Sequence, residues 1–81
     1  MRLLPRSPVA RLGVRAGFLT SKQRAERLVM SRYYLLKLEQ GALKPSPRVI
    51  EKMSEAYGVD ADTLKKYFRE VRNERLSRES I

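Results

Sequence analysis

The stretch TSKQRAERLVMSRYYLLKLEQG, residues 20–41, decides the fold because it carries the signals of two short helices joined by a tight turn. Thr20 is an N-cap, and a glutamine three residues later completes a capping box with it. Ser31 is a second N-cap, and Gly41 has the position of a helix terminator. The predicted helices cover residues 21–28 and 32–39.

The flanking sequence predicts three further helices. Ser7-Pro8 and Ser46-Pro47 each pair an N-cap with proline at the first helical position, and Asp60 is the third cap. Apolar residues recur with helical spacing after each cap, and no stretch alternates like a strand. The predicted fold class is therefore all-α, a compact domain of five short helices. The three helices cover 8–16, 47–57 and the segment after Asp60, whose tail from Arg72 either continues the helix or frays.

Composition argues against an enzyme. The 81 residues contain no cysteine and no histidine, which removes the commonest general base and the commonest metal ligands. Asp60 and Asp62 are two acids at a helix start, where capping explains them better than catalysis. We expect no catalytic residue, no metal and no cofactor. No apolar run approaches the roughly 20 residues of a membrane helix, and we expect a cytoplasmic protein that does not bind membranes.

The positive charge is concentrated in one half of the chain. The net charge is +9, and residues 1–48 hold eleven lysines and arginines against two acids. Residues 49–81 hold seven of each sign and are neutral. Such asymmetry favours a polyanionic partner, and we favour nucleic acid over an anionic membrane or a merely solvated basic face. Double-stranded DNA is preferred to RNA because no sheet-borne aromatic residues are predicted for base stacking.

The predicted helix over 32–39 exposes an unusual face. Leu35 and Leu38 share one side and are expected to point into the core. The opposite side combines cations, a phenol, an aliphatic chain and an amide, which suits the edges of bases in a DNA major groove. This face consists of Arg32, Tyr33, Leu36, Lys37 and Gln40.

The segment from Thr20 to Gly41 resembles the Cro/Xre helix-turn-helix family, the phage-repressor type. The resemblance extends through LKPS at 43–46 and AYGVD at 56–60, and in all covers about residues 9–68. Its motif residues are Ala25, Leu35, Leu38, Glu39, Gly41 and Pro45-Ser46.

Four positions depart from the family pattern. Arg24 stands where leucine is usual, and its side chain is expected either to lie over apolar surface or, like Arg27, to be solvated. Val29 replaces the turn glycine and must avoid or tolerate a left-handed backbone. Ser21 replaces a common glutamine, and Leu36 stands at a position that is commonly small and polar. Glu39 is expected to form a hydrogen bond or an ion pair within the domain.

The resemblance implies a repressor-like DNA-binding regulator that lays helix 32–39 in the major groove of a palindromic operator. Three positions of this helix have an alternative role. Leu36 could pack on a partner or on the C-terminal segment, Tyr34 could belong to the core, and Lys37 could contact phosphate only. The predicted base contacts are Arg32, Tyr33, Leu36 and Lys37. The predicted backbone contacts are Ser21, Ser31, Tyr34, Lys44 and Arg48.

The chain divides into an N-terminal arm (1–7), the DNA-binding domain (8–68) and a C-terminal helical extension or tail (69–81). Apolar residues persist past the expected end of the domain, which suggests a homodimer. The alternative function is protein–protein interaction, as an antitoxin or a bridging factor of the transcription machinery. The candidate dimerisation residues are Leu64, Tyr67, Phe68, Val71 and Leu76.

Overall fold

The computed structural model describes residues 5–79 and forms five α-helices, with no strand in that range. The all-α prediction is confirmed. Residues 1–4 of the predicted arm and residues 80–81 of the predicted tail lie outside the described residues. The helices are α1 (Pro8–Arg15), α2 (Ser21–Leu28), α3 (Arg32–Glu39), α4 (Pro47–Tyr57) and α5 (Ala61–Glu79).

The helix starts follow the predicted caps. The Ser7 hydroxyl accepts from a backbone N–H of the first turn of α1 at 3.3 Å, and Ser31 and Ser46 do the same for α3 and α4 at 3.1 and 3.2 Å. Thr20 and Gln23 form the complete capping box, with both hydrogen bonds at 3.1 Å. These caps satisfy N–H groups that have no partner inside the helix, so the four helices begin where local chemistry places them.

The helix ends depend on residues with a left-handed backbone. Gly17, Gly41 and Gly58 have φ of 102°, 79° and 66° and follow α1, α3 and α4. The end of α1 was predicted at residue 16, but the helix stops at Arg15 because Ala16 is its right-handed cap and Gly17 then reverses the chain. The following N–H groups donate back to carbonyls of the last turn, as in a Schellman motif.

One apolar core joins all five helices. Val9 and Leu12 of α1 belong to the same buried cluster as Leu28, Leu35 and the inner faces of the later helices. Since the apolar face of each helix is buried against the others, the hydrophobic effect holds the short helices together. The remaining buried members are Ala25, Leu38, Val49, Ile50, Met53, Tyr57, Leu64, Phe68 and Val71.

The last helix is longer than the five-short-helices prediction implied. α5 has 19 residues and runs without a break past Phe68 to Glu79, so the described part of the extension is helical and does not fray. Gly41 fits against its middle: a Cβ there would lie 2.9 Å from Val71 Cγ1 and 3.0 Å from the Val71 carbonyl oxygen. This close approach anchors the end of α3 on α5.

Candidate nucleic-acid interface

α2 and α3 form a helix-turn-helix unit closed by a left-handed valine. α2 packs against α3, Ala25, Leu28 and Leu35 are all buried, and the small Ala25 side chain allows close packing. Val29 adopts φ 55° and ψ 55°, so it tolerates the conformation usually left to glycine. The Met30 N–H donates to the Ala25 carbonyl at 3.1 Å, which completes the turn.

A buried ion pair connects the two helices. Arg24 Nε donates to Glu39 Oε2 at 2.8 Å and Arg24 Nη2 donates to Glu39 Oε1 at 3.3 Å. Arg24 Nη1 also donates to the Phe18 carbonyl at 3.2 Å. Both side chains are about 95% buried. The expectation that Glu39 forms an internal ion pair is confirmed, and the alternative of a solvated Arg24 is wrong, whereas Arg27 is exposed.

The buried pair perturbs two acid–base groups. Burial raises the pKa of the Glu39 carboxyl above its usual value, and the hydrogen bond and positive charge of Arg24 oppose that rise. Burial, with a smaller contribution from the Glu39 charge, raises the pKa of the Tyr57 phenol well above its usual range. The Tyr57 hydroxyl is buried and has no hydrogen-bond partner among residues 5–79. This network lies in the core, so we assign it a structural role.

The first turn of α3 presents polar and aromatic groups outward. Arg32 Nε donates to Ser21 Oγ at 2.8 Å, which brings a predicted base contact and a predicted backbone contact together at the N-terminal ends of α2 and α3. The Tyr33 side chain is 72% exposed. Lys37 Nζ lies 5.3 Å from the centre of the Tyr33 ring, a cation–π distance. These contacts form one continuous surface, which we call the α3 face, from Ser21 through Arg32 and Tyr33 to Lys37.

Leu36 and Gln40 lie on the flank of this surface. Leu36 is half-buried and, with the exposed Gln40, lines a groove bounded by Pro5, Ser7 and the C-terminal half of α5. Leu36 therefore faces the C-terminal segment, one of the two alternatives considered for it. Tyr34 is half-buried and packs against the core.

Three predicted backbone contacts surround the α3 face or follow it in the chain. Ser31 is exposed, and its hydroxyl oxygen already accepts from the Tyr34 N–H. Lys44, in the loop after α3, and Arg48, in the first turn of α4, are both exposed. All three are accessible, and their roles toward DNA stay predictions.

Folding sharpens the charge asymmetry seen in the sequence. Of the two acids in residues 1–48, Glu39 is buried and paired with Arg24. Glu26 is then the one acid with solvent exposure among residues 5–48. The solvent-facing surface formed by residues 5–48 is almost free of negative charge, which favours approach of a polyanion.

Most of the candidate dimerisation residues are used inside the chain. Leu64, Phe68 and Val71 are at most 6% exposed and belong to the core. Tyr67 is half-buried and Leu76 is 49% exposed. Of the five candidates, Tyr67 and Leu76 are the two with exposed apolar surface, so a dimer interface built on the candidates would centre on them.

Arg24 is the residue whose role the sequence did not predict. Two other residues could have indicated that Arg24 is buried and paired. Glu39 is an acid in a strongly basic half of the chain, and Gly13 is a glycine inside a helix. A Cβ at Gly13 would lie 2.3 Å from Arg24 Cδ and 3.0 Å from the Tyr57 hydroxyl. Gly13 therefore makes room for the arginine side chain.

A comparison with known families agrees with this geometry. The family model described as a helix-turn-helix domain matches residues 9–66, most of the chain and all of α2 and α3. No curated protein and no solved structure gives a significant match. Among the described residues, no helix is both long and apolar enough to cross a membrane.

Proposed function

Because the chain belongs to the helix-turn-helix domain family, we propose that it is a transcriptional regulator that binds double-stranded DNA sequence-specifically, and that it acts as a repressor. In this proposal α3 enters the major groove with its N-terminal half foremost. Repression follows from occupancy, since a domain seated on an operator excludes the polymerase.

The proposal rests on the observation that side chains of the α3 face are held in place by contacts within the protein. Arg32 is held by Ser21, and Lys37 lies over the Tyr33 ring, so cations and an aromatic ring are presented on a helix fixed to the core. Pre-ordered side chains lose less conformational entropy on binding than free ones. A merely solvated face would not need a tyrosine that is 72% exposed.

Each residue of the α3 face has a proposed role. Arg32 and Lys37 donate to base edges, guanine N7 and O6 being the best acceptors, and Tyr33 contacts a base through its ring or hydroxyl. Leu36 is the weakest member, since only its exposed part is accessible to a thymine methyl. The proposed phosphate contacts are Ser21, Ser31, Tyr34, Lys44 and Arg48.

The proposed binding is strongly electrostatic. Roughly six phosphate contacts would give a slope near −5 in a plot of log affinity against log salt concentration. The decisive experiment is selection of binding sites from random DNA duplexes by the full chain. A favoured palindromic motif supports both sequence-specific binding and two-fold stoichiometry, whereas selection without any enriched sequence contradicts the proposal.

Dimer formation is a separate part of the proposal. We infer that two copies bind the half-sites of the operator about one helical turn (~34 Å) apart. Light scattering of the chain at micromolar concentration, alone and with the selected duplex, measures the number of copies in each particle. A monomer under both conditions contradicts the dimer and leaves DNA binding intact.

The two features that suggested a protein-interaction module do not support it in the folded chain. It rested on an exposed Leu36 and an exposed apolar stripe on α5, but Leu36 is half-buried and most of the stripe lies in the core. A different surface, described next, carries the case for a protein partner.

A further inference from the structure

A groove runs between the loop after α3, the outer side of α4 and the first half of α5. Its volume is about 880 Å³, within the range of small-ligand and peptide sites. Leu43 is 41% exposed and forms the open part of its apolar lining, with Ile50 and Phe68 beneath. We call this feature the α4–α5 groove. It contains none of the residues of the α3 face, and of the predicted DNA contacts only Lys44 lines it.

The edge of the α4–α5 groove is strongly basic. Lys44, Lys65, Arg69 and Arg72 line it and are exposed, and Glu51 is the acid among its lining residues. None of these four cations forms an ion pair with a residue in the described range. An apolar base with an unneutralised positive edge is complementary to an amphipathic chain that carries acids beside its apolar residues.

We propose that the α4–α5 groove binds an acidic, amphipathic segment of a partner protein. The apolar side chains of that segment cover Leu43 and the groove base, and its Asp or Glu residues pair with the basic edge. The apolar lining favours a peptide over DNA, because phosphate contact uses the cations and leaves Leu43 exposed to water. A second copy of the chain is less complementary, since each copy carries a net charge of +9.

The test begins with selection of short random-sequence peptides displayed on phage against the immobilised full chain. Enriched peptides should combine Leu, Ile or Phe with Asp or Glu. The best of them, synthesised with a fluorescent label, is then titrated by anisotropy with three proteins. These are the unaltered chain, the groove variant Lys65→Glu/Arg69→Glu and the control variant Arg15→Glu/Lys66→Glu.

The control pair changes the net charge equally and also lies at exposed positions, but neither residue lines the groove. The groove variant should bind the peptide at least about tenfold more weakly, because like charges are placed opposite each other, while the control stays within about twofold. Leu43→Ser should also weaken binding. Circular dichroism melts show that each variant is folded before it is titrated.

Several results overturn the proposal. One is a selection that enriches no acidic peptide. Another is a peptide that binds the groove variant and the control variant with the same affinity. Self-association of the unaltered chain that the groove variant abolishes would assign the groove to a second copy. DNA binding that is lost in the groove variant and kept in the control would assign its edge to phosphate. Because DNA binding is measured separately, failure here leaves the proposed regulator intact.

Discussion

Arg24 in α2 and Glu39 at the end of α3 form a two-point ion pair that is buried between the helices, with N–O distances of 2.8 and 3.3 Å. Arg24 stands where the resemblance leads one to expect leucine, whereas Glu39 is one of the motif residues. A charged pair can hold the helices only in one orientation, because displacement leaves two charges buried without a partner. The orientation of α3, and with it the α3 face, therefore depends on this contact.

The first prediction concerns this pair. Glu39→Ala should lower the free energy of unfolding by about 3–5 kcal/mol, since it leaves the Arg24 guanidinium buried and uncompensated. Replacing both residues, as Arg24→Met/Glu39→Leu, should cost much less because no unpaired charge remains. Urea denaturation followed by circular dichroism measures both. A double variant that loses as much stability as Glu39→Ala, or more, would contradict a coupled pair.

The second prediction concerns Gly13. Gly13→Ala should destabilise the domain by about 1–3 kcal/mol, although alanine is the better helix former, because the new methyl group would overlap Arg24 Cδ at 2.3 Å. The same substitution made in an Arg24→Ala background removes the overlapping group and should cost less. Urea denaturation midpoints of the unaltered chain, Gly13→Ala, Arg24→Ala and the double variant give the loss in each background. Equal losses in both backgrounds would show that the arginine does not require the glycine.

The third prediction concerns the left-handed turn between α2 and α3. Val29 is 81% exposed and has φ 55°, so it adds strain to the turn with little burial in return. Val29→Gly should raise the free energy of unfolding by about 0.5–1 kcal/mol, the relief of strain exceeding the added freedom of the unfolded chain.

Gly58 provides the matched control for that turn. It also has a left-handed backbone, with φ 66°, and a Cβ there would meet no atom within 4 Å. Gly58→Val should therefore lose about 1–2 kcal/mol for conformational reasons alone. Thermal melts of the two variants should shift in opposite directions. Shifts of the same sign would contradict backbone strain as the cause.

The fourth prediction concerns the buried phenol. The hydroxyl of Tyr57 lacks a partner within the described chain, so Tyr57→Phe should keep or raise stability at neutral pH, by about 1 kcal/mol at most. The pKa of Tyr57 is raised on folding, so the folded state holds this proton more tightly than the unfolded state. Its contribution is complete below pH 10, the ordinary phenol value, and is lost as the pH rises further.

The unaltered protein should therefore lose more stability than Tyr57→Phe between pH 9 and pH 11. Urea midpoints at several pH values measure the difference. Parallel curves for the two proteins would mean that the Tyr57 phenol is accessible to ionisation in the folded state.

The positions of the first four helices were predictable because their ends are local. Ser7, Thr20, Ser31 and Ser46 bond to N–H groups within their own first turn, so a few residues of sequence contain the whole interaction. The length of α5 was less predictable, since its tail of alternating charges has few apolar residues to mark the face that packs.

The less local features were missed for a different reason. Arg24 and Glu39 are 15 residues apart and meet only after the core has formed. A basic side chain next to Ala25 looks solvated until Gly13 of another helix is placed beside it. Leu36 shows the same limit, because a single-helix projection assigned it to solvent, whereas it is half-buried and lines a groove bounded by α5 and the N-terminal segment.

The fifth prediction tests direct reading of bases by α3. Arg32→Ala should weaken binding to the selected duplex by roughly 1–3 kcal/mol and relax the preference at one base pair. Lys44→Ala should weaken binding to all duplexes alike and reduce the salt slope by about 1, because it removes a phosphate contact. Arg27→Ala is the charge-matched control, since Arg27 is exposed and has no proposed DNA contact.

Ser21→Ala separates the two functions of the arginine. It removes the 2.8 Å hydrogen bond that orders Arg32, together with the proposed phosphate contact of Ser21, but leaves the guanidinium in place. We expect a smaller loss of affinity than for Arg32→Ala, with the base preference retained. Anisotropy titrations against the selected duplex and against single-base variants measure all four proteins. If Arg32→Ala and Arg27→Ala lose the same affinity for every duplex, Arg32 contributes charge only and does not read a base.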